Sequence, residues 1–323
     1  MHAITLTEFG APEVMRWSEV PDPRPNRGEV IIDVAATAVN RADLVQREGN
    51  YPPPPGASDI LGLECSGTIS ELGEGVHGWK VGDRVCALLA GGGYAERVAV
   101  PSTQVLPIPG HLDLHAAAAL PEVASTVWSN LVMYGGLRSG QVLLLHGGGS
   151  GIGTHAIQVG KALGATVAVT AGSKAKLDIC ESLGADIMID YKNDDFVKAL
   201  PAGADFILDN MGAKYLQRNI DALAMDGTII TIGMQGGANG ELNFRALLAK
   251  RGTIHAAGLR GRPETGKSSK ADIVKDMTNR LWPMIEEGVV APIIHDELPI
   301  TEAAKGHRML DADAVGKVVL RVQ

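Results

Sequence analysis

A chain of 323 residues is long enough to bury two hydrophobic cores, and 45% apolar with 20% charged residues is the balance of a globular protein. Its formal charge of −8 and 4% aromatic content speak against nucleic acid as a partner, since phosphate neutralisation needs a basic face and base stacking needs rings. Three scattered cysteines, Cys65, Cys86 and Cys180, form no disulfide framework, the opening residues lack a targeting pattern, and no apolar run reaches a membrane span; a cytoplasmic protein without a membrane partner is expected.

Residues 29–39 (EVIIDVAATAV) mix alternation with short apolar stretches and predict a strand. Further short strands are predicted at 81–88, 94–100 and 104–108, punctuated by glycines at 73–75 and 91–93, as in a small barrel or sandwich. The rhythm changes near residue 122. Strands at 142–146, 166–170, 187–189, 205–208, 228–232 and 253–257 alternate with helical stretches such as 152–163 and 174–183, which predicts a parallel sheet with crossover helices. A single longer helix is expected at 273–287. A last strand at 315–322 comes too late for the parallel sheet and is assigned back to the first domain. The fold class expected is α/β: a doubly wound Rossmann sheet at 123–265, with a smaller β-rich substrate domain built from 1–122 and 266–323.

The segment Gly147-Gly148-Gly149-Ser150-Gly151-Ile152-Gly153 follows a strand and opens a helix. Glycines permit the tight turn and close backbone approach, and the helix start offers free N–H groups and a positive dipole end to a pyrophosphate. A ligand-free glycine turn is the competing reading, which the strand–loop–helix setting disfavours. After the second strand, residues 170–176 (TAGSKAK) contain no acid, whereas NAD sites usually place one there for the ribose 2′-hydroxyl. Ser173 with Lys176, or secondarily Lys174, suits a 2′-phosphate, so NADPH is the expected cofactor.

The motifs Asn40-Arg41-Ala42-Asp43, residues 46–52 (QREGNYP), Gly62-Leu63-Glu64, Gly82-Asp83-Arg84-Val85, Gly93-Tyr94-Ala95-Glu96, the glycine loop and Gly316-Lys317-Val318-Val319 together resemble the zinc-independent quinone oxidoreductases of the medium-chain dehydrogenase/reductase superfamily, nearest to their p53-inducible branch. The resemblance implies a GroES-like substrate domain, a cleft beside the Rossmann domain and a homodimer. It also implies site residues. Asn40 and Tyr51 would be catalytic, at the substrate carbonyl. Thr126 and the backbone of Gly233, Met234 and Gln235 would flank the nicotinamide. Gly148, Gly149, Ser150, Gly151, Ile152 and Gly153 would take the pyrophosphate. Gly172, Ser173, Lys176 and Tyr191 would form the 2′-phosphate pocket, and Lys317 a late basic position near the cofactor. Zinc-dependent relatives carry Cys at the position of Asn40 and His at that of Leu63, and residues 121–123 supply no Cys, so no metal is expected.

Residues 261–268 (GRPETGKS) match a phosphate-loop spacing, and Asp209 imitates its partner acid. Pro263 removes an N–H from such a cradle and Glu264 adds negative charge, so the match is read as chance. The expected activity is reduction of a quinone by NADPH. The alternatives are reduction of activated C=C bonds in enals, enones or enoyl thioesters, and a weakly catalytic NADPH-binding or RNA-binding protein.

Overall fold

The computed structural model describes residues 1–322, which divide into two compact units. One comprises residues 1–125, 259–288 and 292–322; the other comprises 126–258 and 289–291. The first boundary falls inside the helix Pro121–Val127.

The first unit opens with β1 (His2–Leu6) and β2 (Met15–Glu19), an antiparallel pair. Its main sheet starts with β3 (Glu29–Ala38), β4 (Glu64–Leu72), β5 (Arg84–Leu88), β6 (Arg97–Pro101) and β7 (Val105–Pro107). Strand β3 organises this sheet. One edge pairs with β4 along Val30–Ala36, while the other takes β6 along Glu29–Asp33. With neighbours on both edges and core on both faces, most of β3 is buried, which is why its sequence lacks strict alternation. The predicted strand at 81–88 begins only at Arg84, because Asp83 accepts the Lys80 N–H and closes a turn. Patterning did not find β1, β2, β4 or the helix Arg41–Arg47, a helix too short to show a period.

The second unit carries β8 (Val142–His146), β9 (Thr166–Ala171), β10 (Ile187–Asp190), β11 (Ala204–Asp209), β12 (Leu223–Thr231) and β13 (Thr253–Ala256), all parallel, in the spatial order β10-β9-β8-β11-β12-β13. The order reverses between β8 and β11, the switch point of a doubly wound sheet. Leu144, Ala168, Ile189, Ile207 and Ile229, one from each of five strands, are buried in one core cluster. Burying aliphatic side chains of this size stabilises by roughly 1.5–3 kcal/mol each.

The chain then returns to the first unit. Strand β14 (Ile294–Pro299) runs parallel to β15 (Lys317–Arg321), and β15 pairs antiparallel with residues 36–38 of β3 on the edge that β6 leaves open. The late strand thus sits where its position in the sequence assigned it. The single helix expected at 273–287 is instead two, Lys270–Arg280 and Trp282–Glu286, separated at Leu281. Pro283 is the cause: it has no N–H for the preceding turn and is tolerated only in the first turn of a new helix.

Candidate active site

In the second unit the loop after β8 is locked by its own backbone. The N–H groups of Gly147 and Gly148 both donate to the Thr170 carbonyl of β9, at 3.1 and 2.9 Å. Ser150 caps the helix Gly151–Ala162: its Oγ accepts from the Gly153 N–H at 3.0 Å and donates to the Gly147 carbonyl at 2.8 Å. A β-carbon on Gly153 would lie 2.4 and 2.5 Å from the carbonyl oxygens of Gly147 and Gly148, so only glycine lets the helix start approach the loop this closely. Ile152 stands half-buried in the first turn. Beneath the loop, Cys180 is buried and its thiol is pushed up to about 11 by desolvation, so it packs as an inert neutral group.

The ends of β8, β9 and β10 meet at one corner. The Lys176 side chain runs past Gly149, 3.3 Å from where its β-carbon would be, and the Tyr191 hydroxyl packs against Gly172. Ser173 caps the helix Lys174–Ser182, its Oγ accepting from the Lys176 N–H at 3.4 Å, which leaves its hydroxyl proton available. Gly149, Gly172, Ser173, Lys176 and Tyr191 therefore converge. Lys174 stays apart, exposed and ion-paired with Asp178 at 2.7 Å.

Gly233, Met234 and Gln235 lie on the loop after β12 and pack against Asn210, the residue after β11. The Gln235 N–H donates to the Asn210 carbonyl at 3.1 Å, and Met234 is exposed. Asn210 was not read from the sequence. Its Nδ2 lies 2.8 Å from where Gly147 would carry a β-carbon, and its buried Oδ1 has no protein partner. That orphaned acceptor beside the glycine loop fits a site completed by a ligand. Thr126 is buried, with its carbonyl accepting from Asn130 Nδ2 at 2.8 Å. His146, at the end of β8, bonds Asn219 at 2.8 Å and Thr170 at 3.1 Å; burial holds it neutral, down to about 4.

In the first unit Asn40 and Lys317 meet. Asn40 opens the helix Arg41–Arg47 in a capping box with Asp43, while Lys317 is the first residue of β15. Lys317 Nζ donates to Asn40 Oδ1 at 2.5 Å and pairs with Glu64 Oε1 at 2.7 Å. Asn40 Nδ2 donates to Glu64 Oε1 at 2.9 Å and to the Ala38 carbonyl at 3.3 Å, and Glu64 Oε2 accepts the Glu122 N–H at 2.9 Å. Both amide protons of Asn40 are therefore engaged. In this arrangement Asn40 positions charges and does not donate to a substrate oxygen. Lys317, expected near the cofactor, is committed to a buried ion pair with Glu64. Asp43, under this cluster, is desolvated and raised to about 6 although it accepts from the Asn40 and Gly62 N–H groups.

Tyr51 is different. Its hydroxyl makes no hydrogen bond to any described residue, and burial raises it, with the nearby Arg260 opposing and Glu122 reinforcing the shift. The Arg260 guanidinium lies 5.2 Å from the centre of the Tyr51 ring and its Nη1 donates to the Tyr51 carbonyl at 3.2 Å. No motif singled out Arg260; only the fold brings it to Tyr51.

The loop at 261–268 forms no phosphate cradle. The following helix is capped by Ser269, and Asp272 takes the Ser268 N–H at 3.0 Å, so a carboxylate occupies the donors a phosphate would need. Asp209 is spent likewise, accepting the Met211 and Gly212 N–H groups.

A parallel sheet in this order with a capped glycine loop, in a chain whose other unit is a seven-stranded sheet with a buried Asn–Glu–Lys cluster, is that of a dinucleotide-binding oxidoreductase of two units. Residues 26–110 match the alcohol dehydrogenase GroES-like domain and residues 151–272 the zinc-binding dehydrogenase family. The rat quinone oxidoreductase is 31% identical over 99% of this chain and 97% of its own. The acryloyl-coenzyme A reductase of Sulfurisphaera tokodaii is 28% identical over 97% of this chain and 98% of its own. The crystal structure of Escherichia coli quinone oxidoreductase complexed with NADPH superposes with a TM-score of 0.89, at 26% identity, over 99% of this chain and all of that one. The chain belongs to the zinc-independent quinone oxidoreductase family of the medium-chain dehydrogenases/reductases, and it is an oxidoreductase acting on a small molecule. Among the described residues no helix is long and apolar enough to cross a membrane.

Proposed function

We propose that this oxidoreductase reduces quinones with NADPH at a zinc-free site. The observation that carries the reading is the corner at Gly172, where Lys176, Tyr191 and Ser173 converge without an acid on residues 170–176. Such a corner favours a 2′-phosphate, which a carboxylate there would repel. Gly148–Gly153 and the helix start would hold the pyrophosphate, and Thr126 with Gly233, Met234 and Gln235 would flank the nicotinamide. When bound, NADPH supplies the hydride.

This chain's own residues supply the rest. One hydride and one proton convert a quinone to a hydroquinone. Tyr51 stays a neutral phenol through the physiological range and has its hydroxyl free, so it donates the proton as the substrate oxygen gains charge and is reprotonated from water. Asn40 and Glu64 hold the Lys317 ammonium in place, so the positive charge beside Asn40 is fixed by the protein. An Asn, a Leu and an ammonium make a poor donor set for zinc. The homodimer is carried as part of this proposal, supported by β13 closing the sheet and by exposed Phe244 and Leu248 on the helix Phe244–Lys250. A cytoplasmic setting suits three buried free thiols.

The test is NADPH oxidation stimulated by 9,10-phenanthrenequinone, alongside calorimetry with NADPH and NADH. Stimulated oxidation and tighter binding of NADPH are expected. Equal affinity for the two nucleotides would remove the phosphate corner, and inertness toward a broad quinone panel would remove the substrate. The likeness to an acryloyl-coenzyme A reductase favours a second reading, hydride addition to an activated C=C bond, which saturated product from an enone with inert quinones would select.

A further inference from the structure

We propose that Arg260 and Lys270 form an anion subsite that selects acceptors carrying a carboxylate, sulfonate or phosphate group in addition to the reducible carbonyl. The proposal deepens the reductase reading above and rests on it for the word acceptor, while the subsite itself stands on its own geometry.

Arg260 and Lys270 are each 4% exposed, and among the described residues neither forms an ion pair with a carboxylate. Arg260 donates Nε to the Ala90 carbonyl at 2.7 Å and Nη1 to the Tyr51 carbonyl at 3.2 Å, and its Nη2 is buried without a partner. The Lys270 backbone N–H donates to the Pro263 carbonyl at 3.0 Å, and its ammonium makes no hydrogen bond to a described residue. Desolvation lowers both groups, Arg260 lowers Lys270 further, and Glu264 opposes that shift. Two buried cations within electrostatic reach are costly to keep charged, and the carboxylate of Glu264 offsets desolvation and mutual repulsion only in part, since both groups remain lowered.

Both residues line one cavity of about 540 Å³ within the first unit. That volume lies in the range that holds a small organic ligand. Arg262 and Arg97 add further cations to the wall and Glu264 and Glu29 carboxylates, but Arg97 is already paired with Asp22, Asp33 and Glu71. Pro54–Ser58, the stretch just beyond Tyr51, form another part of it. Arg260 thus touches both the cavity and the proposed acid, so an anion bound there ties the acceptor to Tyr51. The phosphate-loop resemblance at 261–268 has its physical remainder here: the motif itself is not used, but cations at and beside its ends face a cavity.

The experiment is calorimetry on the full chain with anthraquinone-2-sulfonate and its neutral analogue 2-(hydroxymethyl)anthraquinone, which needs no turnover. The sulfonate is expected to bind at least about tenfold more tightly, with the preference shrinking as salt rises. Lys270→Met should collapse the ratio of the two affinities, and Lys270→Arg should restore it, which separates loss of charge from loss of fold. Equal binding of the two probes, or a preference that survives Lys270→Met, would overturn the subsite. Inorganic phosphate binding as tightly as the sulfonated quinone would also overturn it, as the mark of a free-anion site. If the sulfonate preference is present but neither compound accelerates NADPH oxidation, the subsite stands and the quinone reading fails.

Discussion

The Tyr191 hydroxyl oxygen stands 2.3 Å from the point where Gly172 would carry a β-carbon. The end of β9 and the residue after β10 are therefore matched, and a methyl group at 172 must push the phenol away. Since the phenol is the movable end of a half-exposed side chain, Gly172→Ala should cost little stability. It should weaken NADPH binding about tenfold while changing NADH binding far less, because the displaced group serves only the extra phosphate. Calorimetry with the two nucleotides reads the difference.

Lys176→Ala should raise the KM for NADPH by about 10- to 100-fold, as expected for loss of a charge-assisted contact. Lys174→Ala should stay within about twofold, because that ammonium is already exposed and bound to Asp178, and exposed pairs of this kind contribute little. Steady-state kinetics on both variants would check the assignment; a larger effect at Lys174 would reverse it.

Gly153→Ala sets a β-carbon against two backbone carbonyls, neither of which can rotate away. A stability loss of roughly 1–3 kcal/mol and loss of nucleotide binding are expected. Thermal unfolding and nucleotide titration measure the two effects separately.

Lys317→Met leaves Glu64, which is 0% exposed, facing only Asn40 and the Glu122 N–H. Breaking a buried pair from one side costs about 3–5 kcal/mol. Adding Glu64→Gln should recover a large part of that loss in a double-mutant cycle, and additive losses would show that the pair is not coupled.

Acid should destabilise the second unit through His155. This residue is buried on the helix Gly151–Ala162, neither ring nitrogen has a partner, and desolvation lowers it to about 4. The unfolded imidazole has a model value of 6.5, so between pH 6.5 and 4 the unfolded chain binds the extra proton. Stability is full above that window and falls as pH drops through it, by about 2 kcal/mol per such histidine at pH 5. His155→Leu should flatten the pH dependence of denaturant midpoints over this range; an unchanged slope would show that His155 does not titrate as placed.

Local pattern carried the second unit. Strand-length apolar runs alternating with helical stretches, and a glycine cluster directly after the first of them, are short-range signals, so the six parallel strands and the loop 147–153 were readable as elements, although β12 starts at Leu223, ahead of the stretch 228–232. The late strand was legible for the same reason: it came after the parallel set was complete. The first unit was less so. Helix Arg41–Arg47 is short, strand β4 (ECSGTISEL) is interrupted by Gly67 and has no sustained apolar alternation, and the break at Leu281 needed the weight of Pro283 against an otherwise helical run.

Residue chemistry and spacing thus determined the fold class, the glycine loop at 147–153 and the acid-free segment after β9, because each depends on neighbours a few positions away. Only the tertiary structure decided which of the named groups are free to act. Asn40 and Lys317 lie 277 positions apart, yet meet at Glu64, where both amide protons of Asn40 are engaged and the Lys317 ammonium is ion-paired. Tyr51 keeps its hydroxyl, and Arg260 reaches it from 209 positions away. Such pairings arise from β3 gathering β4 and β15 on its two edges, a long-range register that no local window contains.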